Sequence, residues 1–405
     1  MSDISDFLNH LPADRARTAF DLVHYMLGKA LKSEDADEVL TEMAERIGRA
    51  GVPLDRATSI VPLLHAEAVA SARFWERGSG ARSYLFPYTP ESGDGYAHSP
   101  AAVVHETGEW VRLWLPETPD DTYGIVPELK EAGYTDYLMA PVFMKSGMAG
   151  TFSFATRAPN GFSDEDLAFL RLVFPALAGA QDILATTRAM QEVMRMYVGA
   201  EPQRRILSGD VHRGEVMRIR SAILFADMRR FTELTVDMSA EEATQLLNAY
   251  YDCIVPPIEE AGGEVLKFIG DGILAIFRAE GAGNVACFKA IQAAQEGLDR
   301  VAHRNGSPSF DVGIALHLGE VAYGNVGSGL RLDYTVIGRD VNLAARVAGL
   351  CGTLGEPLLV SDTFRGRIAD AGKKTSGGPV SVWSVGVHAL KGLHTPLEVF
   401  AVAVP

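Results

Sequence analysis

Residues 221–232, SAILFADMRRFT, and residues 264–277, EVLKFIGDGILAIF, decide the reading of this chain. In each, an apolar, β-branched run stops at an aspartate, so the carboxylates of Asp227 and Asp271 are expected to project from strand ends. Between the two stretches, Ser239 and Glu242 have capping-box spacing and open a helix whose inward face is Ala243, Leu246, Leu247, Tyr250 and Ile254. Pro256 and Pro257 are expected to kink or shorten that helix, and Gly262 and Gly263 to stop it. EVLKFI and ILAIF then pair as a hairpin with Gly270, Asp271 and Gly272 at its tip, which puts Asp227 and Asp271 on adjacent strands at one end of a sheet. Oxygen ligands so placed suit Mg²⁺, and two such ions shared between the carboxylates could bind a nucleoside triphosphate. Taken singly, Asp227 also reads as a helix cap and Asp271 as a turn former.

With 405 residues the chain is long enough for two or three domains. A hydrophobic fraction of 47% beside 22% charged residues is ordinary for a soluble globular protein, and a formal net charge of −15 argues against a nucleic-acid partner. No apolar run approaches the roughly 20 residues that span a bilayer. The start, MSDISDFLNHLPADR, lacks the basic and apolar regions of a signal peptide. A cytoplasmic location without membrane insertion is therefore expected. Cys253, Cys287 and Cys351 are far apart and without CxxC spacing, so reduced thiols are expected in place of a zinc site or disulfide frame.

Residues 1 to about 80 read as helices, with Phe20, Val23, Met26 and Leu27 at helical spacing and similar apolar density in VPLLHAEAVASARFW. From about 82 to 157, ARSYLFPY, EWVRLWLP, YLMAPVFM and TFSFAT read as strands of an antiparallel sheet. Ser163 opens a helix with acidic residues at its positive end. Ile183, Met190 and Tyr197 are spaced by seven, which fits either a parallel two-helix connector or packing against one domain. The domain expectation is 1–182, a connector over 183–204, and 205–405, the last reading as βαββαβ.

Five blocks between Ile206 and Val399 resemble the class III adenylate/guanylate cyclases: ILFADMRRFT, GGEVLKFIGDGILAIF, GIALHLGEVAYGNVGS, LDYTVIGRDVNLAARV and ALKGLHTPLEVF. The N-terminal half resembles, more loosely, the GAF-like sensory modules that precede such domains in bacterial cyclases. The resemblance implies an α+β chain, with a C-terminal ferredoxin-like βαββαβ cyclase domain joined by a helical connector to an N-terminal α/β GAF-like domain.

It further implies that Asp227 and Asp271 hold two Mg²⁺ ions, with Mn²⁺ an alternative, and that the Met228 carbonyl is a third ligand. Amides near Phe231 and Thr232 would face the triphosphate. Lys267 and Thr335 would select adenine, where guanylate cyclases usually carry Glu in place of the lysine; the plain reading of Lys267 is a solvated strand residue. Asn342 and Arg346, four apart on one helical face with Asp340 as a plausible cap, would hold the ribose oxygen and neutralise charge on the α-phosphate. Lys391 resembles the triphosphate lysine. His317 is expected to be packed or hydrogen-bonded and not a metal ligand. The implied activity is conversion of ATP to cyclic AMP at sites shared across a homodimer, with an unidentified ligand or partner for the N-terminal domain. The alternatives are a guanylate cyclase or a catalytically silent nucleotide-binding regulator. Trp110, Trp114 and Tyr137 are candidate pocket residues in the N-terminal half.

Overall fold

In the computed structural model of the chain, residues 11–33, 35–66, 68–89, 92–306, 308–371, 380–391 and 395–404 are described. The first ten residues and part of the last cyclase-like block, 392–394, lie outside them. The chain divides into two compact units, Met1–Val193 and Met194–Pro405.

The first unit opens with α1 (Ala13–Leu27) and α2 (Ala36–Arg49). Asp35 caps α2, its carboxylate accepting from the amides of Asp37 and Glu38. Next come β1 (Arg56–Pro62), β2 (Ala68–Glu76), β3 (Gly80–Pro87), α3 (Ser92–Ala97), α4 (Pro100–Thr107), β4 (Val111–Trp114), α5 (Val126–Glu131), β5 (Asp136–Phe143) and β6 (Ala149–Thr156). The strands form one antiparallel sheet in the order β3-β2-β1-β6-β5-β4.

Four of the six strands fall where the sequence places them, but β1 and β2 replace expected helix. Both faces of β1 are covered, so it lacks the apolar-polar alternation of a half-exposed strand, and its apolar density mimics that of a helix. In α1 the buried side chains are Ala19, Leu22, Tyr25 and Met26. Phe20 and Leu27, expected on the inner face, are 69% and 53% exposed.

The next helix, α6, runs without a break from Asp164 to Val198. Ser163 starts it as expected: its hydroxyl accepts from the Asp166 amide while Asp166 accepts from the Ser163 amide. Contrary to the sequence expectation, α6 is long and apolar enough to cross a membrane by length and composition. Its apolar face, with Phe169, Leu170, Val173 and Leu177, is packed in the core of the unit. Ile183, Met190 and Tyr197 are all exposed.

The second unit contains α7 (Ala200–Leu207), β7 (Val216–Met228), α8 (Phe231–Leu234), α9 (Ala240–Glu260), β8 (Glu264–Ile269), β9 (Gly272–Arg278), α10 (Asn284–Ala302) and β10 (Val312–Gly327). It continues with β11 (Leu332–Ile337), α11 (Arg339–Ala348), α12 (Leu350–Leu354), β12 (Leu358–Ser361), α13 (Asp362–Ala371), β13 (Val382–His388) and β14 (Leu397–Val402). The sheet order is β13-β14-β12-β10-β7-β9-β8, with β11 on β10. Its centre, β7-α9-β8-β9-α10-β10, is the expected βαββαβ unit.

The capping box of Ser239 and Glu242 forms as read. Pro256 and Pro257 do not shorten α9, which continues to Glu260 because Ile254, Pro257 and Ile258 are buried and tertiary packing outweighs the lost amide bonds.

Candidate active site

The β7 strand and the β8–β9 hairpin bring the two aspartates together. Ala226 pairs with Ile273 across β7 and β9, and Ile269 pairs with Gly272 across the hairpin. Gly270 and Asp271 therefore form a two-residue turn, for which Gly270 takes the left-handed φ of 63°. Tyr251 on α9 pins this turn, its hydroxyl donating to the Gly270 carbonyl at 2.7 Å. Nineteen residues separate the two, and no spacing in the sequence marks the contact.

Asp227 and Asp271 lie within hydrogen-bonding reach of each other. Partial removal of water, and then the charge and hydrogen bond of Asp271, push the Asp227 carboxyl up to about 7. Beneath them, Tyr250 is fully buried and its hydroxyl has no partner. Burial first and the Asp227 charge next hold that phenol protonated.

Met228 ends β7 and is 2% exposed. The amide of Arg229 donates to the Asp311 carbonyl at 2.8 Å, and its guanidinium donates to the Glu356 carbonyl. Arg230 then takes φ 56°, a left-handed turn rare for a side chain of its size, and α8 begins at Phe231. Phe231 is half-buried and Thr232 exposed.

Lys267 on β8 reaches Asp333 on β11, Nζ to Oδ2 at 2.5 Å. Thr335, two residues further along the same strand and so on the same face, is 3% exposed, and its buried hydroxyl has no partner. The structure thus gathers Lys267, Asp333 and Thr335. Asp333 is absent from the sequence reading, although an acid at i−2 of Thr335 was the available signal.

Asn342 is exposed and Arg346 half-buried, one turn apart on α11, whose other face buries Leu343, Ala344, Val347 and Ala348. Asp340 is not the cap of this helix. Gly338 occupies the cap position, and the Asp340 carboxylate accepts from the Glu320 amide at 2.7 Å. His317, with Nε2 3.8 Å from Asp340, is the first cause holding that carboxyl below its usual range. Gly319 permits this approach, since a Cβ there would lie 2.2 Å from the Asp340 carboxylate. His317 is buried and its Nδ1 lies 2.8 Å from Ser361 Oγ, as expected of a packed, hydrogen-bonded histidine. Lys391 is exposed in a turn beside the undescribed residues 392–394.

The register separates two parts of this constellation. Asp227 pairs with Gly313 and Thr335 with Gly324, eleven residues apart on β10, roughly 36 Å of strand contour. Among the described residues, no hydrogen bond or ion pair joins the aspartate pair to Lys267, Thr335, Asn342 or Arg346.

Residues 218–363 match the family described as Adenylate and Guanylate cyclase catalytic domain. An adenylate cyclase of Anabaena cylindrica is 38% identical over 154 residues, 36% of this chain and 30% of that protein. Among solved structures, the adenylyl cyclase CyaB from P. aeruginosa is 27% identical and covers 47% of this chain and 97% of that one, with a TM-score of 0.40. The guanylyl cyclase Cya2 is 29% identical and covers 47% of this chain and 94% of that one, with a TM-score of 0.41. The second unit thus carries a class III adenylate/guanylate cyclase catalytic domain. The chain spans under a third of the length of the curated relatives it matches.

Proposed function

We propose that the catalytic unit converts ATP to 3′,5′-cyclic AMP and pyrophosphate in a homodimer with two equivalent sites, and that the first unit is a GAF-like sensory domain regulating it. The observation that carries the cyclase reading is the convergence of Asp227 and Asp271 at the β7 end and hairpin tip of a cyclase-type domain. Two carboxyl groups that cannot both ionise side by side without a counter-charge fit a divalent cation. Among the described residues no cluster of three or more His, Cys, Asp or Glu side chains is placed to hold a metal. The Met228 carbonyl and substrate phosphates therefore complete the set around two Mg²⁺ or Mn²⁺ ions. Bound there, the ions supply Lewis-acid activation of the 3′-hydroxyl and neutralise phosphate charge.

The remaining residues bind and orient. Lys267 donates to a ring nitrogen of adenine, and the unpartnered Thr335 hydroxyl accepts from its exocyclic amine. Asn342 holds the ribose oxygen, and the Arg346 fork stabilises the charge growing on the α-phosphate. Lys391 and the amides at Phe231 and Thr232 take the outer phosphates. The ribose 3′-oxygen bonds to the α-phosphorus as the bond to the bridging oxygen breaks; pyrophosphate leaves and the hydroxyl proton passes to solvent. The eleven-residue separation of Asp227 and Thr335 along β10 supports a site completed by a second copy of the chain. We also read the protein as cytoplasmic, without membrane insertion or a nucleic-acid partner, from its net charge of −15.

Incubating the purified chain with ATP or GTP and each metal, followed by chromatographic separation of products, tests the reading. Cyclic AMP formed from ATP well ahead of cyclic GMP is expected. Preferential use of GTP would refute the base assignment, and no cyclic product from either would refute catalysis.

A further inference from the structure

We propose that the first unit binds a short aliphatic carboxylate, about three to six carbons long, in a cavity between one face of its sheet and helices α1, α2 and α6. Strand alternation builds the sheet side: Ser59 pairs with Arg73 and Phe152, and Val61 with Ser71, so these five side chains share a face. Met26, Val39, Met43 and Leu177 close the cavity from the helices. Its volume is about 70 Å³. That is room for about five water-sized groups.

The walls are apolar, and the polar floor is already satisfied. Gln181 on α6 is 6% exposed, accepts from Ser59 Oγ at 3.1 Å and donates to the Ile60 carbonyl at 3.1 Å.

Arg73 is the exception. Its side chain is 18% exposed, yet among the described residues it makes no hydrogen bond, only a long ion pair from Nε to Asp37 at 3.4 Å. That Asp37 oxygen also accepts from Ser83 at 2.8 Å. Arg188 lines the same cavity. Burial, and then the Arg188 charge, outweigh Asp37 and Asp35 and work against the Arg73 cation. An arriving carboxylate relieves that balance and engages the guanidinium fork in two parallel bonds. A hydrated inorganic anion would leave the apolar walls unfilled, and a long acyl chain exceeds the volume. The inference rests on this cavity alone and is independent of the cyclase assignment.

Calorimetric titration of the full chain with acetate, propionate, butyrate, pentanoate and octanoate reads it directly. Affinity should rise about fourfold with each methylene that finds room, the tightening expected for burying one such group, and should stop rising before octanoate. Pentanol and pentylamine should bind at least about tenfold more weakly than pentanoate, and inorganic phosphate should give no saturable heat. Arg73→Gln should lose about tenfold or more of the pentanoate affinity. Ala185→Leu, which fills the cavity without touching the arginine, should lose the chain-length gain and keep any acetate binding, and it decides the matter if Arg73→Gln fails to fold. Absence of saturable pentanoate binding, equal affinity for pentanol, or unchanged affinity in a folded Arg73→Gln protein would overturn the proposal.

Discussion

The carboxyl groups of Asp227 and Asp271 share a hydrogen bond, which demands a proton wherever no cation stands between them. An aspartate raised to about 7 in the fold and near 3.9 when unfolded contributes its stability below the unfolded value and loses it as pH climbs through 7. In EDTA, the melting point of wild type relative to Asp227→Asn should therefore fall between pH 5 and pH 8, and Mg²⁺ should restore it for wild type only. The same substitution should cut cyclic AMP formation at least about a hundredfold. Near-normal turnover would remove Asp227 from the metal site. A second experiment concerns the base: Lys267→Glu with Thr335→Cys should shift preference from ATP towards GTP, by up to about 10⁴-fold if mismatched groups stay unpaired. A constant ATP-to-GTP ratio would dismiss both residues as readers. At this scale the aspartates and Thr335 were legible because their blocks are contiguous. Asp333, Tyr251 and the true partner of Asp340 were not, because each acts through a tertiary contact between distant segments.

Among the elements, α7 is tied to the catalytic sheet by one carboxylate. Glu201 accepts from Arg205 Nε at 2.8 Å, bonds Arg204 and pairs with Arg278 of β9 at 3.0 Å. Arg278 lies over the Tyr323 ring at 4.8 Å, and Tyr323 donates to Glu264 on β8. Burial pushes Glu201 up, but its arginines more than offset this and hold it below the usual range, so its contribution is present at neutral pH and lost on acidification. Glu201→Gln should destabilise the catalytic unit by about 1–2 kcal/mol at pH 7. That corresponds to a drop of a few degrees in melting point. The drop should shrink towards pH 4; an equal drop at both pH values would contradict the charge-based account. Element identity was readable wherever one face meets water, as in β3, and obscured in β1, whose two covered faces erase the alternation. In α9 the two prolines misled because packing of Ile254 and Ile258 overrides a local rule.

For the whole molecule, a site shared between copies has a direct genetic test. Inactive Asp227→Ala and inactive Arg346→Ala chains, mixed under conditions that allow subunit exchange, should recover activity, since each mixed pair holds one site free of both lesions. Mixed dimers that form and stay inactive would exclude a composite site. The helix α6 gives the other consequence. It crosses the division between Val193 and Met194 without a break and ends at Gly199, whose φ of 89° closes the run. Such a rod conveys torsion: each added residue advances the azimuth of everything downstream by 100°, and seven bring it back to within about 20°. Alanines inserted one at a time after Met190 should make cyclase output oscillate with the helical repeat, while a monotonic decline would show that α6 acts by length and not by phase.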